Sequence, residues 1–306
     1  MQTTDSILMI RPANFGYNAQ TAGNNSFQNS EGATNYAAIK TKAVAEFDGL
    51  VARLRENGVT VIVVPDSESP VKPDAIFPNN WVSFHDDGQV FMYPMYAENR
   101  RLERRRAIID VLNVRYEVNN VTDFSLHEAD NRFLEGTGSM IIDRVHRVIY
   151  ACISPRTDEN LFHQYCDVID FTPIAFHSVD RNENDIYHTN VVMALGETFV
   201  VICMETVQDE GERELLYQCF EDTEKEVIEI TLSQLEHFAG NMLQVRNAEG
   251  KTFLVMSEQA FHSLNTLQIA QIEEHTTILH APLYTIETFG GGSARCMLAE
   301  VFLPRR

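Results

Sequence analysis

The sequence predicts an α/β fold built as a five-bladed propeller of ββαβ units. Three observations predict it: paired apolar runs joined by short polar turns recur, amphipathic helix patterns follow them, and a short apolar run follows each helix. Strand and helix signals alternate over all 306 residues without a Pro-, Gly- or Ser-rich linker. We therefore expect one domain over residues 1–306, with pseudo-fivefold symmetry and a central site at one end.

Five segments have the pattern of a hairpin, and their starts lie about 50 to 60 residues apart. The segments are 80–93, 139–153, 190–204, 241–256 and 294–303. The last is shorter than the others, and we expect it to supply one strand and the start of another. The apolar run 7–11 would then complete the unit whose hairpin comes from the C-terminal segment.

Polar, charge-rich stretches with helical character follow the first four hairpins, and each precedes a short β-run. The predicted helices are 98–112, 157–166, 209–222 and 257–273, and the predicted strands are 114–118, 168–174, 226–230 and 276–283. In the first helix, an apolar face of Leu102, Ile108, Ile109 and Leu112 would leave the arginines on the opposite face. Segment 36–57 is a helix of the same type, and Gly58 ends it before a strand over 59–64.

Residues 13–34 form the longest irregular stretch and are rich in Asn and Gly. A loop of this length inside a compact domain is usually a binding lid or disordered. We predict a lid over the site.

Composition and charge exclude several classes of protein. The net charge of −20 repels phosphate backbones and anionic lipid, so we expect neither nucleic acid nor a membrane as a partner. No signal peptide is visible, and apolar runs such as 61–64 are far too short to span a bilayer. The five cysteines are odd in number, scattered and free of CxxC spacing, which argues against a disulfide framework and a zinc site. We expect a cytoplasmic protein.

In a closed ring of repeats, the residues at the hairpin starts would converge at one end. They are Asn79, Asn80, Glu135, Gly136, Gly138, His188, Asn190, Asn241, Arg295 and Cys296. An acid, an imidazole and a thiol at equivalent positions are what a nucleophilic enzyme needs. Cys296 follows the glycine run 290–292, which allows close approach of a ligand, and Arg295 beside it would favour the thiolate. The other cysteines lie in predicted strands or helices and are interpreted as core or incidental: Cys152, Cys166, Cys203 and Cys219.

Three ordered motifs resemble those of the guanidine-modifying, or pentein, superfamily. They are LEGTG (134–138), YHTN (187–190) and GGGSARCM (290–297). The superfamily includes arginine deiminases, dimethylargininases, arginine dihydrolases and amidinotransferases, and its five-bladed ββαβ propeller agrees with the repeat. Segments 11–28 and 74–81 are most similar to bacterial hydrolases described as amidinotransferase-like or as citrulline-utilisation enzymes. The resemblance covers essentially the whole chain.

The resemblance implies roles for particular residues. It makes Cys296 the nucleophile, His188 the general acid/base and Glu135 the acid that orients the histidine and binds the reacting end of the substrate. Asp74, which opens a DxxFxxN pattern, matches a substrate-binding acid.

Two arginines match family residues that hold an α-carboxylate. Arg156 lies in the segment ISPRT (153–157), and Arg100 lies in NRRLE (99–103) beside Arg101. The match of Arg100 is less secure because Arg101 is adjacent. The alternative for Arg100 and Arg101 is that they lie on a solvated helix face.

The sequence departs from arginine-binding relatives at two positions. Asn80 and Asn190 stand where two aspartates usually grip the guanidinium. An asparagine amide offers a donor and an acceptor, which suits a neutral ureido group better than a cation. The departure favours cleavage of a citrulline-like compound to ornithine, ammonia and carbon dioxide, with two-step breakdown of arginine as the neighbouring possibility. A structural alternative is that both asparagines only cap strand ends.

The predicted chemistry is C–N hydrolysis through a covalent Cys296 intermediate, and it requires no metal or organic cofactor. Amidinotransfer and deiminase-type hydrolysis of arginine or dimethylarginine remain alternatives, because the same residues would serve them. The intact thiol, imidazole and acid disfavour a non-catalytic binding protein, and the spacing of His and Cys does not support a metal-binding protein. The expected partner is a small citrulline- or arginine-like amino acid, and homo-oligomerisation stays open.

Overall fold

The computed structural model of the chain describes residues 1–30 and 32–306, so one position of the predicted lid, Glu31, lies outside the described part. Within the described residues, the strands form five three-stranded sheets. In each sheet the central strand pairs antiparallel with one neighbour and parallel with the other. A parallel neighbour requires a crossover connection, which the helices provide. The mixed α/β fold is therefore as predicted.

The first unit begins with strand β1 (Ser6–Arg11), helix α1 (Tyr36–Glu56) and strand β2 (Thr60–Pro65). Helix α1 starts where the side chain of Asn35 accepts a hydrogen bond from the Ala38 amide, and it ends before Gly58, whose φ is +81°. This confirms the predicted glycine stop. Residues 22–24 of the predicted lid form a short 3-10 helix.

The second unit differs most from the prediction. Its elements are β3 (Val82–Phe84), β4 (Gln89–Met92), α2 (Glu98–Arg101), α3 (Arg106–Leu112) and β5 (Asn120–Asp123). The predicted single helix over 98–112 is broken, and Leu102 is exposed where burial was expected. The cause is Arg100, which turns inward to buried acceptors on Glu103 and Asn80.

The predicted strand over 114–118 is also wrong. Its residues follow α3 as a turn, and the strand that pairs with β4 starts at Asn120, opposite Gln89. Tyr116 is held instead by its hydroxyl, which donates to the Ser6 side chain 3.0 Å away. The backbone of this segment also pairs with the C-terminal residues, because Tyr116 forms an antiparallel bridge with Arg305 and the Glu117 amide donates to the Pro304 carbonyl at 2.8 Å.

The third and fourth units follow the expected order. The third consists of α4 (Gly136–Ser139), β6 (Ile141–Asp143), β7 (Val148–Cys152), α5 (Glu159–Ile169) and β8 (Thr172–Phe176). The fourth consists of α6 (Thr189–Val192), β9 (Met193–Leu195), β10 (Phe199–Ile202), α7 (Glu210–Asp222) and β11 (Glu226–Glu229). Their hairpins and crossover helices are confirmed, although the strand predicted over 168–174 begins only at Thr172 because α5 continues to Ile169.

The fifth unit closes the chain onto its beginning. Its elements are α8 (Leu232–Leu235), β12 (Leu243–Arg246), β13 (Thr252–Ser257), α9 (Glu258–Ser263), α10 (Thr266–His275) and β14 (Thr277–Ala281), followed by α11 (Tyr284–Gly290) and β15 (Ala299–Glu300). The predicted helix over 257–273 is two helices, because Asn265 caps α10 with its side chain.

The C-terminal segment supplies one strand only. Strand β15 pairs antiparallel with β1, with Glu300 opposite Ile7, so the two ends of the chain share one sheet. Residues 294–297 form a 3-10 helix, and beyond β15 Val301 forms an isolated parallel bridge with Phe84, so within 294–303 the expected start of another strand is limited to this one residue pair. The predicted closure of the first unit by both ends of the chain is confirmed.

The hydrophobic core continues from one unit to the next. The buried face of α1, which includes Phe47 and Leu50, packs in one cluster with Ile7 of β1 and Val255 of β13. Apolar surface shared between neighbouring sheets favours their close association. Among residues 1–30 and 32–306, none of the helices combines the length and apolar character needed to cross a lipid bilayer.

Candidate active site

Short helical turns precede the first strands of four sheets and carry the predicted site residues. The turns span residues 78–80, 136–139, 189–192 and 294–297. Asn80 ends the first turn, Glu135 and His188 immediately precede the second and third, and Cys296 lies in the fourth. The repeated backbone geometry therefore brings together residues that are far apart in sequence.

His188 and Glu135 form the central pair of the site. The histidine Nε2 lies 2.8 Å from Glu135 Oε2, and both side chains are buried. The other carboxylate oxygen accepts a hydrogen bond from the backbone amide of Tyr96 at 2.9 Å. Gly138 allows this packing, because a Cβ there would lie 2.9 Å from His188 Nδ1 and 2.2 Å from Asn80 Nδ2. Their mutual hydrogen bond, the amide of Tyr96 and the close contact with Gly138 thus fix the positions of His188 and Glu135.

Burial and neighbouring charges separate the protonation states of this pair. Burial alone would raise the pKa of Glu135, but Arg156, His188 and Arg100 together lower it to about 2. Burial lowers the pKa of His188 to about 4, despite the opposing effect of Glu135. At neutral pH the carboxylate is ionised and the imidazole is neutral, so Nε2–H donates to Glu135. Nδ1 keeps its lone pair and can accept a proton.

We predict an acid-dependent loss of stability from this pair. The pKa of His188 is about 4 in the folded chain, against an ordinary value of 6.5, so below about pH 6.5 the unfolded chain binds a proton that the folded chain does not. The free energy of unfolding therefore falls as the pH is lowered. Between about pH 7.5 and 4.5, wild type is expected to lose about 2 to 3 kcal/mol more than His188→Gln in urea unfolding. Equal pH dependence of the two proteins would contradict the lowered pKa of His188.

Two asparagine amides surround the sulfur of Cys296. Asn190 Nδ2 lies 3.4 Å from Sγ, and Asn241 Nδ2 lies 3.3 Å from it. The thiol itself is buried. Arg295, expected to favour the thiolate, pairs with Glu300 at 2.9 Å and donates to the carbonyl of Leu298. Sequence reasoning placed Asn241 near the site by its repeat position but gave it no role.

Arg100 belongs to the site, and its alternative as a solvated residue is wrong. Its guanidinium is buried and binds Glu103 with two hydrogen bonds of 3.0 Å. It also donates to Asn80 Oδ1 at 2.9 Å and lies 3.9 Å from Asp74. Arg101 is partly exposed and pairs with Glu128 on the outside. Of the two adjacent arginines, Arg100 is therefore the one that is buried beside Asn80 and Asp74.

Arg156 links the site to the predicted lid. The buried guanidinium lies 3.7 Å from Glu135 and stacks over the ring of Tyr187 at 4.7 Å. It donates to the side chain of Asn24 and to the carbonyl of Thr21. Two residues of the 13–34 loop therefore hold it, which places this loop in direct contact with the site.

Asp74 is buried on the other side of the same loop. Its Oδ2 accepts hydrogen bonds from Asn18 at 2.7 Å and from Thr21 at 3.4 Å. Burial raises the pKa of Asp74, although the charge of Arg100 opposes this effect. Its Oδ1 has no hydrogen-bond partner within the described part of the chain. That oxygen is available to a ligand.

The space between these side chains is nearly closed. Its free volume is about 10 Å³, which is room for one water molecule. It is lined by Thr21, Asn25, Asp74, Phe77, Asn80, Arg100, Arg156, Tyr187, His188, Gly290, Gly291, Gly292 and Cys296. Two buried amide atoms in this region, Asn80 Nδ2 and Asn190 Oδ1, have no partner among residues 1–30 and 32–306. Buried polar atoms are rarely left unpaired, so both are candidate ligand contacts.

The remaining cysteines have surroundings that keep them protonated. Burial raises the pKa of Cys166 and of Cys203 to about 12, and it also raises the pKa of Cys152 and Cys219. A thiol is a weak nucleophile compared with its thiolate. In the described residues, no group of three or more His, Cys, Asp or Glu side chains is arranged to hold a metal ion.

Solved structures of guanidino-compound enzymes share the fold. The N-terminal domain of ArgZ, covalently bound to a reaction intermediate, is 18% identical with a TM-score of 0.77, and the match covers 98% of each chain. ArgZ is described as an arginine dihydrolase from cyanobacteria. A dimethylarginine dimethylaminohydrolase adduct with S-methyl-L-thiocitrulline is 14% identical with a TM-score of 0.64, covering 97% of this chain and 99% of that one.

Sequence comparison establishes the family. No curated protein sequence matches the chain significantly. The family model described as N,N dimethylarginine dimethylhydrolase, eukaryotic, matches residues 11–303. The chain therefore belongs to this family of C–N hydrolases within the pentein superfamily.

Proposed function

We propose that the chain hydrolyses the ureido group of a citrulline-like amino acid, giving ornithine, ammonia and carbon dioxide. The supporting observation is the pair Asn80 and Asn190, which are buried beside His188 and Cys296. By the resemblance described above, arginine-binding relatives have aspartates at these two positions. Asn80 Nδ2 is an unpaired donor and Asn190 Oδ1 an unpaired acceptor in the described chain. A ureido group offers a carbonyl to the first and N–H groups to the second.

The distribution of charge also favours a neutral reacting group. The carboxylate of Glu103 is already bound by Arg100, and that of Glu135 by His188 and Arg156. A guanidinium entering between the asparagines would find these countercharges already engaged, and the unpaired oxygen of Asp74 is assigned below to the α-ammonium group of the substrate. A buried charge without a partner costs several kcal/mol, on the order of 3 to 5. A ureido group avoids this cost.

The proposed reaction begins with attack by Cys296. The thiol proton moves to Nδ1 of His188, the sulfur bonds to the ureido carbon, and the imidazolium returns the proton to the departing ammonia. Glu135 stabilises the imidazolium through Nε2–H. The product of this step is a thiocarbamate that links Cys296 to the ornithine nitrogen. His188 then accepts a proton from water as the water oxygen attacks the same carbon, and the imidazolium returns that proton to the departing sulfur. The carbamate that remains loses carbon dioxide and leaves ornithine.

The amino-acid end of the substrate is assigned to the charged residues around the loop. Arg156 and Arg100 are proposed to hold the α-carboxylate, and the free oxygen of Asp74 is proposed to accept from the α-ammonium group. With the loop in place, the guanidinium of Arg156 donates to the side chain of Asn24 and to the carbonyl of Thr21. Substrate carboxylate would replace these two loop acceptors, so binding and loop movement are coupled in this proposal.

We further propose that residues 13–34 act as a lid over the site. A free volume of about 10 Å³ does not hold a citrulline molecule, which supports loop 13–34 as a lid that opens for binding. We also infer that the five sheets close into a propeller and that residues 1–306 form one catalytic domain. A cytoplasmic location remains our expectation.

The proposed function is tested by product analysis. Purified protein is incubated separately with citrulline, arginine and dimethylarginine, and ornithine, ammonia and citrulline are quantified. Ornithine from citrulline supports the proposal, whereas citrulline accumulating from arginine or dimethylarginine would replace it with a deiminase-type activity. If none of the three is hydrolysed, arginine is tested with glycine or lysine as acceptor, and exchange would identify an amidinotransferase.

Asn80→Asp is predicted to change the substrate preference. The added carboxylate supplies a countercharge for a guanidinium and removes the amide donor to a ureido oxygen. The ratio of kcat/KM for citrulline to that for arginine is expected to fall about 10-fold or more, as for loss of one good hydrogen bond to the substrate. Asn79→Asp adds the same charge one residue away, outside the cavity lining, and should change the ratio much less. An unchanged ratio in Asn80→Asp would refute the charge argument.

A further inference from the structure

Asn241 lies against the sulfur of Cys296 and outside the three motifs LEGTG, YHTN and GGGSARCM. Its side chain is fully buried. Its Nδ2 donates to the backbone carbonyl of Asn190 at 2.7 Å and to Sγ of Cys296 at 3.3 Å. We propose that Asn241 is a catalytic residue that, together with Asn190, stabilises the thiolate of Cys296.

Both side-chain polar atoms of Asn241 lie close to the sulfur, since Nδ2 at 3.3 Å donates to it and Oδ1 at 3.6 Å can accept from the thiol. Amide N–H groups from two different units, those of Asn190 in α6 and of Asn241 before β12, approach the same sulfur at 3.4 and 3.3 Å. Hydrogen bonds to an ionised acceptor are about twice as strong as those between neutral groups. Both donors therefore bind the sulfur more strongly once His188 has taken the thiol proton and the sulfur carries negative charge. With Arg295 engaged by Glu300, the amides are the direct donors to the sulfur.

The fold fixes Asn241 by a tight turn after α8. Phe238 adopts a positive φ of 63°, and the amide of Asn241 donates back to the carbonyl of Phe238 at 2.8 Å. A Cβ on Gly240 would lie 2.0 Å from the carbonyl oxygen of Val191. Only glycine lets this turn press against α6, and the contact sets Asn241 beside Asn190. The close contact between the backbones of Gly240 and Val191 therefore determines where the side chain of Asn241 lies.

Other groups around the sulfur bear on its ionisation and remain constant in variants of Asn241. Burial raises the pKa of Tyr187, which therefore stays protonated at neutral pH. The titratable and charged groups that face this region are Asp74, Tyr187, His188 with its partner Glu135, Arg100, Arg156 and Arg295. A change in sulfur reactivity confined to Asn241 variants is thus assigned to the lost amide donor.

The inference rests on the proposed function only in taking Cys296 as the nucleophile, so its test uses no substrate. Iodoacetamide alkylates the thiolate, forming a sulfur–carbon bond while iodide leaves. The rate at Cys296 is followed by peptide mass at a series of pH values, with Cys296→Ser identifying the signal. In Asn241→Ala, the midpoint of the rate profile is expected to move up by about one pH unit. The rate at high pH is expected to be kept or raised, because a less stabilised thiolate is more nucleophilic.

A matched control separates this effect from simple loss of a buried asparagine. Asn79 is equally buried, and its side chain has no hydrogen-bond partner in the described residues. Asn79→Ala should keep the wild-type midpoint. Asn241→Ser provides a smaller polar variant if the alanine protein does not fold, and its midpoint should also rise. An unchanged or lowered midpoint, with or without a lower plateau, would overturn the proposal, whereas missing citrulline hydrolysis with a shifted midpoint would reject only the function.

Discussion

Replacing Cys296 with serine is expected to reduce kcat for citrulline by about 10⁴-fold or more. A serine hydroxyl has a far higher pKa than a thiol, and His188, whose pKa is lowered to about 4, is too weak a base to compensate. The two amide donors at the sulfur would face a neutral oxygen instead of an anion. Initial rates of ornithine formation measure the loss, at protein concentrations high enough to detect residual turnover.

The matched control for this substitution is Cys219→Ser. Cys219 is half-buried on the outer helix α7 and is assigned no part in the reaction. This variant should retain activity close to wild type. Thermal unfolding of both variants excludes a general loss of structure. Substantial ornithine formation by Cys296→Ser, for example more than about a tenth of the wild-type rate, would contradict covalent catalysis by the thiol.

Glu135→Gln is expected to lower kcat by about 10³-fold, comparable to neutralising the carboxylate that orients a catalytic histidine. The carboxylate accepts a hydrogen bond from Nε2–H of His188, so the lone pair remains on Nδ1. A glutamine amide can instead donate to Nε2, which favours the tautomer with the proton on Nδ1. The nitrogen that must accept the thiol proton is then blocked. Steady-state kinetics with citrulline give kcat and KM separately.

The control for Glu135 is another buried glutamate in the same charge cluster. Glu103 pairs with Arg100, and burial raises its pKa to about 7. Glu103→Gln removes a carboxylate from the cluster without altering the partner of His188, so we expect a smaller loss of kcat and a larger effect on KM. Equal losses of kcat in both variants would show that the carboxylate acts through the stability of the cluster and not through the histidine tautomer.

Local patterns predicted the elements whose contacts are local. Helix α7, predicted over 209–222, begins at Glu210 because the side chain of Asp209 accepts from the Glu212 amide. The broken helix over 98–112 could not be predicted in this way. Its apolar pattern favours one continuous face, yet the hydrogen bond from Arg100 to Asn80, twenty residues earlier, rotates the first turn inward. Periodicity contains no information about such a distant acceptor.

The sequence indicated which residues share the site better than it indicated where helices and strands begin and end. Repeat position and motif resemblance brought Glu135, His188 and Cys296 together before any coordinates, because equivalent turns of a repeat lie in equivalent places. The contact of Arg156 with the 13–34 loop joins residues about 130 positions apart, and nothing in the sequence pairs them. The sequence signal for Asn241 was its place before strand β12, matching that of Asn80 before β3, and only the distance to the sulfur gives it a role.

The most direct test of this account is a competition between two substrates in one solution. Citrulline labelled with ¹³C at the ureido carbon and arginine labelled with ¹³C at the guanidino carbon are supplied at equal concentrations. Carbon spectra then follow both, and the ratio of their initial rates equals the ratio of kcat/KM. The asparagine pair predicts that citrulline is consumed first and its label appears as bicarbonate. Faster consumption of arginine, with labelled citrulline accumulating, would contradict selection of a neutral ureido group.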